Sequence, residues 1–196
     1  GSGQSLLEVE ADWEVASAAS LVLADLRLLG GSGGAVSLQS TGGDVTLQRV
    51  ETSSGVVTFS GALTIAECAV TSTQLIGSTS SSLLCISGST LTRSAISMTG
   101  GSATIEGSSV LVNSPVIITA GTLSASQCEL QSDGSSVPLT IESGGFATVT
   151  GVIFRSSADD GITAVSVSDG GSLTVDGSQL VKADGRSDPF PCDGIL

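Results

Sequence analysis

Hydrophobic and polar residues alternate in short runs along most of the chain, and glycines separate these runs. In the stretch VSVSDGGSLTVDGSQL (165–180), each pair of apolar residues encloses one polar residue, and a Gly-Gly step follows the first pair. Alternation at period 2 indicates a strand with one buried face, whereas glycine favours tight corners. The pattern therefore predicts several very short strands joined by sharp turns.

This unit recurs with three kinds of apolar pair per copy. The first pairs are Leu21/Leu23, Val45/Leu47, Leu63/Ile65, Leu84/Ile86, Ala103/Ile105, Leu123/Ala125, Ala147/Val149 and Leu173/Val175. Second pairs, five residues later, are Leu26/Leu28, Val50/Thr52, Cys68/Val70, Ser89/Leu91, Ser108/Val110, Cys128/Leu130, Val152/Phe154 and Ser178/Leu180. Third pairs precede the first ones and are Trp13/Val15, Val36/Leu38, Val57/Phe59, Ile96/Met98, Val116/Ile118, Leu139/Ile141 and Val165/Val167, with a blurred copy at Leu75 and Ile76.

The repeat length indicates the architecture. From Leu21 to Leu173 the chain advances 152 residues in seven steps, so one copy takes about 22 residues. Three short strands in such a repeat describe one coil of a parallel β-helix, in which stacked coils bury what a single coil cannot. Burial of each inward Leu, Ile or Val contributes roughly 1.5–3 kcal/mol. We therefore predict an all-β, single-stranded parallel β-helix (solenoid) of about eight coils.

The run G-G-x-L-T-V-x-x-S-x-L/F resembles the repeats of right-handed parallel β-helices of the pectin-lyase type. Within that group it is most similar to autotransporter passengers and polymorphic outer-membrane proteins, whose G-G-A-I tetrapeptide has one near match at residues 33–36. The resemblance covers about residues 6–181. It implies a right-handed solenoid in a secreted or cell-surface protein, with an extracellular location.

The repeat runs without a break in composition, which predicts one domain. We interpret residues 1–3 as a remnant of cloning, residues 4–181 as the β-helix, and residues 182–196 as an irregular tail or cap. Residues 4–20 are expected to form a first partial coil, with a capping helix as the alternative. Open solenoid ends would also permit end-to-end self-association.

Composition excludes several classes of partner. Six basic and nineteen acidic residues give a net charge of −13, which argues against binding to nucleic acid or to anionic membrane surfaces. Its longest uncharged run, 68–92, alternates with Ser, Thr and Gly, so no segment is expected to insert into a membrane. With no histidine, Ser-His-Asp and Cys-His catalysis and most zinc sites are excluded.

Two longer corners are the candidate ligand-binding region. They are residues 131–137, which contain Asp133, and residues 155–163, which contain Arg155, Asp159 and Asp160. Both lie between the second and third strands of their coils, so they should project from the same side. Function favours loops on a rigid scaffold, and a protein or glycan is the expected ligand.

The cysteines and the Asp-Gly steps are weaker signals. Cys68 and Cys128 are expected to face inward as small apolar residues, too far apart to be joined, while Cys85 faces outward and Cys192 lies in the tail. Recurrent Asp-Gly steps, including Asp169 and Asp176, are expected to be turns, with calcium as the alternative. No metal or other cofactor is expected.

Three functions remain open. The leading hypothesis is a structural or adhesive module without catalytic activity. A polysaccharide lyase or hydrolase is the first alternative; the resemblance implies that it would use clustered acids and a basic residue. Ice binding is the second, suggested by an outward column of hydroxyls, Thr46, Thr64, Thr104, Ser124, Thr148 and Thr174, interrupted by Cys85.

Overall fold

The computed structural model describes residues 5–9, 13–30, 36–157, 163–182, 184–189 and 194–195. These residues form 27 short strands and no helix, and the strands stack into a parallel β-solenoid of about seven turns of about 21 residues. The all-β parallel solenoid predicted from the repeat is thereby confirmed. None of the described residues belongs to a helix with the length and hydrophobicity of a membrane span.

The strands fall into three sheets, which we number by the order of their strands within a coil. The first sheet contains β3(Ser20–Ala24), β6(Asp44–Gln48), β9(Ala62–Ala66), β12(Leu83–Ser87), β15(Ser102–Glu106), β18(Gly121–Ser126), β21(Gly145–Thr150), β24(Ser172–Asp176) and β27(Gly194–Ile195). The second contains β1(Ser5–Val9), β4(Leu26–Gly30), β7(Glu51–Thr52), β10(Ala69–Thr71), β13(Thr90–Thr92), β16(Val110–Val112), β19(Glu129–Ser132), β22(Ile153–Ser156), β25(Gln179–Val181) and β26(Ser187–Pro189). The third contains β2(Trp13–Val15), β5(Val36–Ser40), β8(Gly55–Phe59), β11(Thr73–Gly77), β14(Ile96–Met98), β17(Val116–Ile118), β20(Leu139–Ile141) and β23(Val165–Val167).

The eight predicted first pairs form two inward columns in the first sheet. Pairing is parallel and in register from β3 to β24, so that Leu63, for example, lies between Val45 and Leu84. Nearly all members of these columns are buried; Leu21, at the N-terminal end, is partly exposed and packs against the core. The first-strand repeat therefore supplies one continuous wall of the core.

Two predicted pairs occupy other positions than expected. The inward residues of β16 and its corner are Ser109 and Leu111, not Ser108 and Val110, because this corner has one residue more than its neighbours. A shift of one residue exchanges the two faces of a strand. In β5, Leu38 and Ser40 hold the positions aligned with Val57 and Phe59, so the Val36/Leu38 pair lies two residues early.

The blurred third pair has a packing explanation. In β11, Leu75 is the inward residue aligned with Val57 and Ile96, and Gly77 takes the next inward position. A Cβ atom at Gly77 would lie 2.6 Å from Met98 Sδ and 3.1 Å from Phe59 Cζ. Those two large side chains, one coil to each side, therefore fill the space that Gly77 leaves.

Buried hydroxyls and thiols line the corners that follow the first and second strands. At the corner between second and third strands, Ser94 Oγ accepts a hydrogen bond from Thr73 N (3.2 Å) and Ser94 N donates to Ser114 Oγ (2.9 Å). At the corner between first and second strands, Cys68 N donates to Ser89 Oγ (3.0 Å). Each side chain thus satisfies a backbone N–H of the neighbouring coil, which the strand ladders cannot reach.

Within the C-terminal segment 182–196, predicted as an irregular tail or cap, the described residues include two short strands. β26 pairs antiparallel with β25, and β27 pairs antiparallel with β24. Two of the three sheets therefore end on a reversed strand that satisfies the edge of the last coil. At the other end, residues 5–24 include strands of a first partial coil, as expected, and none of those described is helical.

Candidate functional site

The two candidate loops leave the solenoid at the same corner, in adjacent coils. One loop runs from β19 to β20 and the other from β22 to β23. β19 pairs with β22, and β20 pairs with β23. The backbone register aligns Gln131 with Arg155 and Ser132 with Ser156. Asp159 and Asp160 lie outside the described residues, so their prediction stays a prediction.

Asp133 is held by the corner of the preceding coil and by its own turn. Asn113 Nδ2 donates to Asp133 Oδ2 (2.9 Å), and the backbone N–H of Asp133 donates to Asn113 Oδ1 (2.8 Å). The N–H of Ser135 donates to Asp133 Oδ1 (2.9 Å). Hydrogen bonds from Ser135 hold the pKa of the Asp133 carboxyl below its ordinary value of 3.8, and the charge of Arg93 lowers it further. Asp133 is therefore a carboxylate that fixes the shape of its loop.

Arg155 is paired with an acid that sequence reasoning did not select. Its Nε donates to Glu129 Oε1, one coil below on the outward face of the second sheet. Gln131 Nε2 donates to the same oxygen (2.9 Å). Glu129 is the register partner of Ile153, two residues before Arg155, so neither a search for acidic doublets nor a comparison of strictly corresponding positions selects it.

Asp133 and Arg155 accordingly bind different partners. Asp133 contacts Asn113 and Ser135, and Arg155 contacts Glu129. Paired-carboxylate chemistry needs two carboxyl groups that face one another across a substrate. Among the described residues, these contacts indicate that Asp133 stabilises its loop and that Arg155 links two adjacent coils.

Acidic clusters of the kind that hold calcium are also missing from the described ranges. No group of three or more Cys, Asp or Glu side chains there could hold a metal ion. Among the Asp-Gly steps, the glycines Gly134, Gly170, Gly177 and Gly185 have positive φ values between 55° and 89°. Asp-Gly at these steps supplies the left-handed turn conformation, as the turn interpretation predicted.

The described cysteines are free thiols in the environments predicted for them. Cys68 and Cys128 are each 4 % exposed, and Cys85 is half-buried on the outward face of β12. Burial raises the pKa of the Cys128 thiol from 9.0 to about 12, and burial likewise raises the pKa of Cys68. Cys68 and Cys128 are therefore inward packing residues, and Cys192 lies outside the described residues.

Cys128 should make stability fall at high pH. Above pH 9 the unfolded thiol loses its proton while the folded thiol keeps it until about pH 12, so rising pH favours unfolding across this window. Between pH 7 and pH 10 the stability advantage of the wild type over Cys128→Ala should shrink by about 1.4 kcal/mol. Urea unfolding at both pH values measures this, with Cys85→Ala as the less buried control. An unchanged difference would contradict the burial of Cys128.

Outward hydroxyls of the first sheet form one column, as the sequence indicated. Register aligns Val22, Thr46, Thr64, Cys85, Thr104, Ser124, Thr148 and Thr174 on adjacent strands. Columns to either side are mixed and include Asp44, Phe146 and Glu106. The face is thus a regular central row between irregular borders.

Comparison with known proteins adds no relative: no protein-family model, curated protein or solved structure matches this chain.

Proposed function

We propose that this chain is a non-catalytic β-helical module of a larger secreted or cell-surface protein, which presents a protein- or glycan-binding surface on a rigid support. The observation that carries the proposal is the pairing of basic side chains with acids; the chain has six basic residues. Five form ion pairs with acids: Arg27 with Glu51, Arg49 with Asp25 and Glu67, Arg155 with Glu129, Lys182 with Asp188, and Arg186 with Asp184. The charge of the sixth, Arg93, helps to lower the pKa of Asp133.

Several of these pairs connect neighbouring coils. Arg27 and Glu51 are register partners in the second sheet, and their charged groups are 2.8 Å apart. Arg49 and Asp25 approach to 2.5 Å at the corner between first and second strands. Exposed pairs of this kind contribute only about 0–1 kcal/mol each, but they neutralise the cations that a polysaccharide lyase would need as catalyst. The pairing therefore supports coil stacking rather than catalysis.

The extracellular assignment is supported by the resemblance of the repeat to surface β-helices of the pectin-lyase type. A net charge of −13 is compatible with such a setting and opposes contact with nucleic acid. The solenoid supplies a support in which each coil is fixed by its neighbours. A ligand would then bind without rearrangement of the scaffold.

A glycan array and a panel of immobilised matrix proteins, both probed with the full chain, test the proposal. We expect saturable binding to at least one ligand, with no change in the ligand's covalent structure. Turnover of an acidic polysaccharide that disappears in Asp160→Ala would contradict the proposal and establish the enzyme. Absence of binding on both the array and the matrix panel would contradict the proposed binding function and leave only a spacer role.

Ice binding is a second candidate because the first sheet carries its column of hydroxyls in register. Neighbouring strands repeat at about 4.8 Å, so the hydroxyls form a regularly spaced row that Cys85 interrupts. If this row binds ice, thermal hysteresis should be measurable and should fall strongly in Thr104→Lys. Matched substitution of Thr71, on the outward face of β10, should leave it unchanged. A hysteresis equal to that of serum albumin would exclude ice binding.

A further inference from the structure

A depression lies on the corner between first and second strands, away from the two candidate loops. Its volume is about 310 Å³, near the lower end of small-ligand sites. Its walls are Ser108, Val110, Gln127, Glu129, Gly151 and Ile153. Buried Ser109 and Cys128 lie at its base. The depression therefore spans three successive coils.

Two local departures from the repeat create this space. Three residues, 107–109, connect β15 to β16, whereas two connect the corresponding strands in the coils on either side. Gly151 then stands at the corner position that Gln127 occupies one coil earlier, and both have positive φ. No atom lies within 4 Å of a Cβ built on Gly151. An extra residue at one edge and a missing side chain at the other leave the corner open.

Glu129 provides the strongest polar group of the depression. Its side chain is 20 % exposed, and both Arg155 and Gln131 donate to its Oε1 atom. Within the described part of the chain, no hydrogen bond reaches Oε2. The side chains of Gln127 and Ser108 are exposed beside it, while Val110 and Ile153 are half-buried. The walls thus combine hydrogen-bonding groups with an aliphatic surface.

The charge of this cluster selects among ligand classes. Arg155 neutralises Glu129, so a cation gains little at this site. An anion would approach a chain of net charge −13. A neutral ligand with several hydroxyls can donate to Glu129 Oε2 and to Gln127 Oε1 while its apolar face contacts Val110 and Ile153. A single sugar residue has this combination of donors and a C–H face.

We propose that the depression binds one neutral sugar residue of a glycan. The proposal rests on the function proposed above and names the ligand class and its position. Its contacts predict which amides respond to the ligand: Ser108, Gln127, Glu129 and Gly151. Contact with a single residue over a shallow surface predicts a weak, saturable interaction with a dissociation constant of about 1 mM or more.

Two glycine substitutions provide a matched test. Gly151→Gln restores the side chain found at the equivalent position of the previous coil and should cover the depression. Gly177→Gln introduces the same residue at the same corner one coil later, where φ is also positive (55° against 60°) and a Cβ also meets no atom within 4 Å. Because Gly177 does not line the depression, this variant is the control for backbone strain.

The experiment is a ¹H–¹⁵N NMR titration of the full chain with the methyl glycosides of glucose, galactose, mannose and N-acetylglucosamine. We expect saturable shifts at the four amides with at least one glycoside. Affinity should be reduced about tenfold or more in Gly151→Gln and in Glu129→Gln, and by less than about twofold in Gly177→Gln. Spectral dispersion and the midpoint of thermal unfolding verify that each variant is folded.

Three results would overturn this assignment. The first is the absence of saturable shifts at these amides with all four glycosides, even though the array detects a glycan; the proposed function would then stand and the site would be elsewhere. The second is equal affinity in Gly151→Gln and Gly177→Gln. The third is a response at the same amides to lysine methyl ester and not to any glycoside. If neither the array nor the matrix panel gives binding, the proposed function itself fails.

Discussion

Replacement of Gly121 by alanine is expected to destabilise the fold by about 4 kcal/mol or more. Gly121 has a φ of 99°, a conformation that residues with a Cβ rarely adopt. A Cβ at this position would also lie 2.4 Å from the carbonyl oxygen of Gly101, one coil away. Gly121 is paired with Gly145 in the first sheet, and the carbonyl oxygen of Gly101 accepts a hydrogen bond from Thr122 N (3.0 Å), so neither group can move without disturbing two coils. Urea unfolding monitored by circular dichroism measures the loss.

Gly177→Ala is the matched control, because Gly177 also has a positive φ (55°) but no atom lies within 4 Å of its Cβ. Its expected cost is about 1–2 kcal/mol from the left-handed conformation alone. Close approach recurs at the corner between third and first strands, where a Cβ on Gly61, Gly101 or Gly145 would lie 2.0–2.5 Å from a carbonyl oxygen of the neighbouring coil. Equal costs for Gly121→Ala and Gly177→Ala would show that the coils are not stacked this closely.

Ser94→Ala is expected to destabilise the fold by about 2 kcal/mol. Ser94 Oγ accepts from Thr73 N and lies 3.0 Å from the carbonyl oxygen of Thr92. Ser94 and Thr73 are both buried, so loss of the hydroxyl leaves the Thr73 N–H without a partner and without access to water. Urea unfolding gives the free energy, and hydrogen exchange of the Thr73 amide reports the site directly.

Two variants bracket this result. Ser97→Ala, on the outward face of β14, should cost less than about 0.5 kcal/mol. Ser94→Cys should recover part of the loss, because Cys68 Sγ accepts from Val50 N (3.4 Å) at the other corner. A free energy of unfolding in Ser94→Ala equal to that in Ser97→Ala would contradict the proposed role of the hydroxyl.

Period-2 alternation was sufficient to predict the solenoid, because every coil must bury the same face. Leu63 and Ile65 are flanked by Leu84 and Ile86 in the next coil, as their spacing implied. The prediction failed where a corner changes length by one residue, as before Leu111, since alternation alone does not reveal which residue belongs to the corner. Serine in the inward position made this harder, because Ser109 reads as a surface residue.

Gly77 illustrates a second limit. An inward glycine has no side chain to continue the alternation, and its compensation by Phe59 and Met98 depends on contacts between residues about 20 positions apart. The alternation did not predict the reversed strand β26 for a similar reason. Its pairing with β25 is set by the exposed edge of the last coil and not by a repeat.

The candidate site was predictable only in part. Turn composition located the two corners, and the register pairs the strands that flank them in adjacent coils. The partner of Arg155 could not be identified from local spacing, because Glu129 lies 26 residues earlier. Pairing between coils assigns such partners, and it requires the register of the solenoid. The depression beside Gly151 could not be predicted from the sequence for the same reason, because residues of three coils form it together.

The register between coils is tested most directly by engineered disulfides to Cys85. Thr64 and Thr104 are its register partners on the two adjacent strands, about 4.8 Å away and within the range that a disulfide spans. In a Cys192→Ser background, Thr64→Cys and Thr104→Cys should each form a disulfide with Cys85 under mild oxidation. Ser124→Cys, two coils away at about 10 Å, should not. Cross-linking to neither neighbour, or equal cross-linking in Ser124→Cys, would contradict the parallel solenoid.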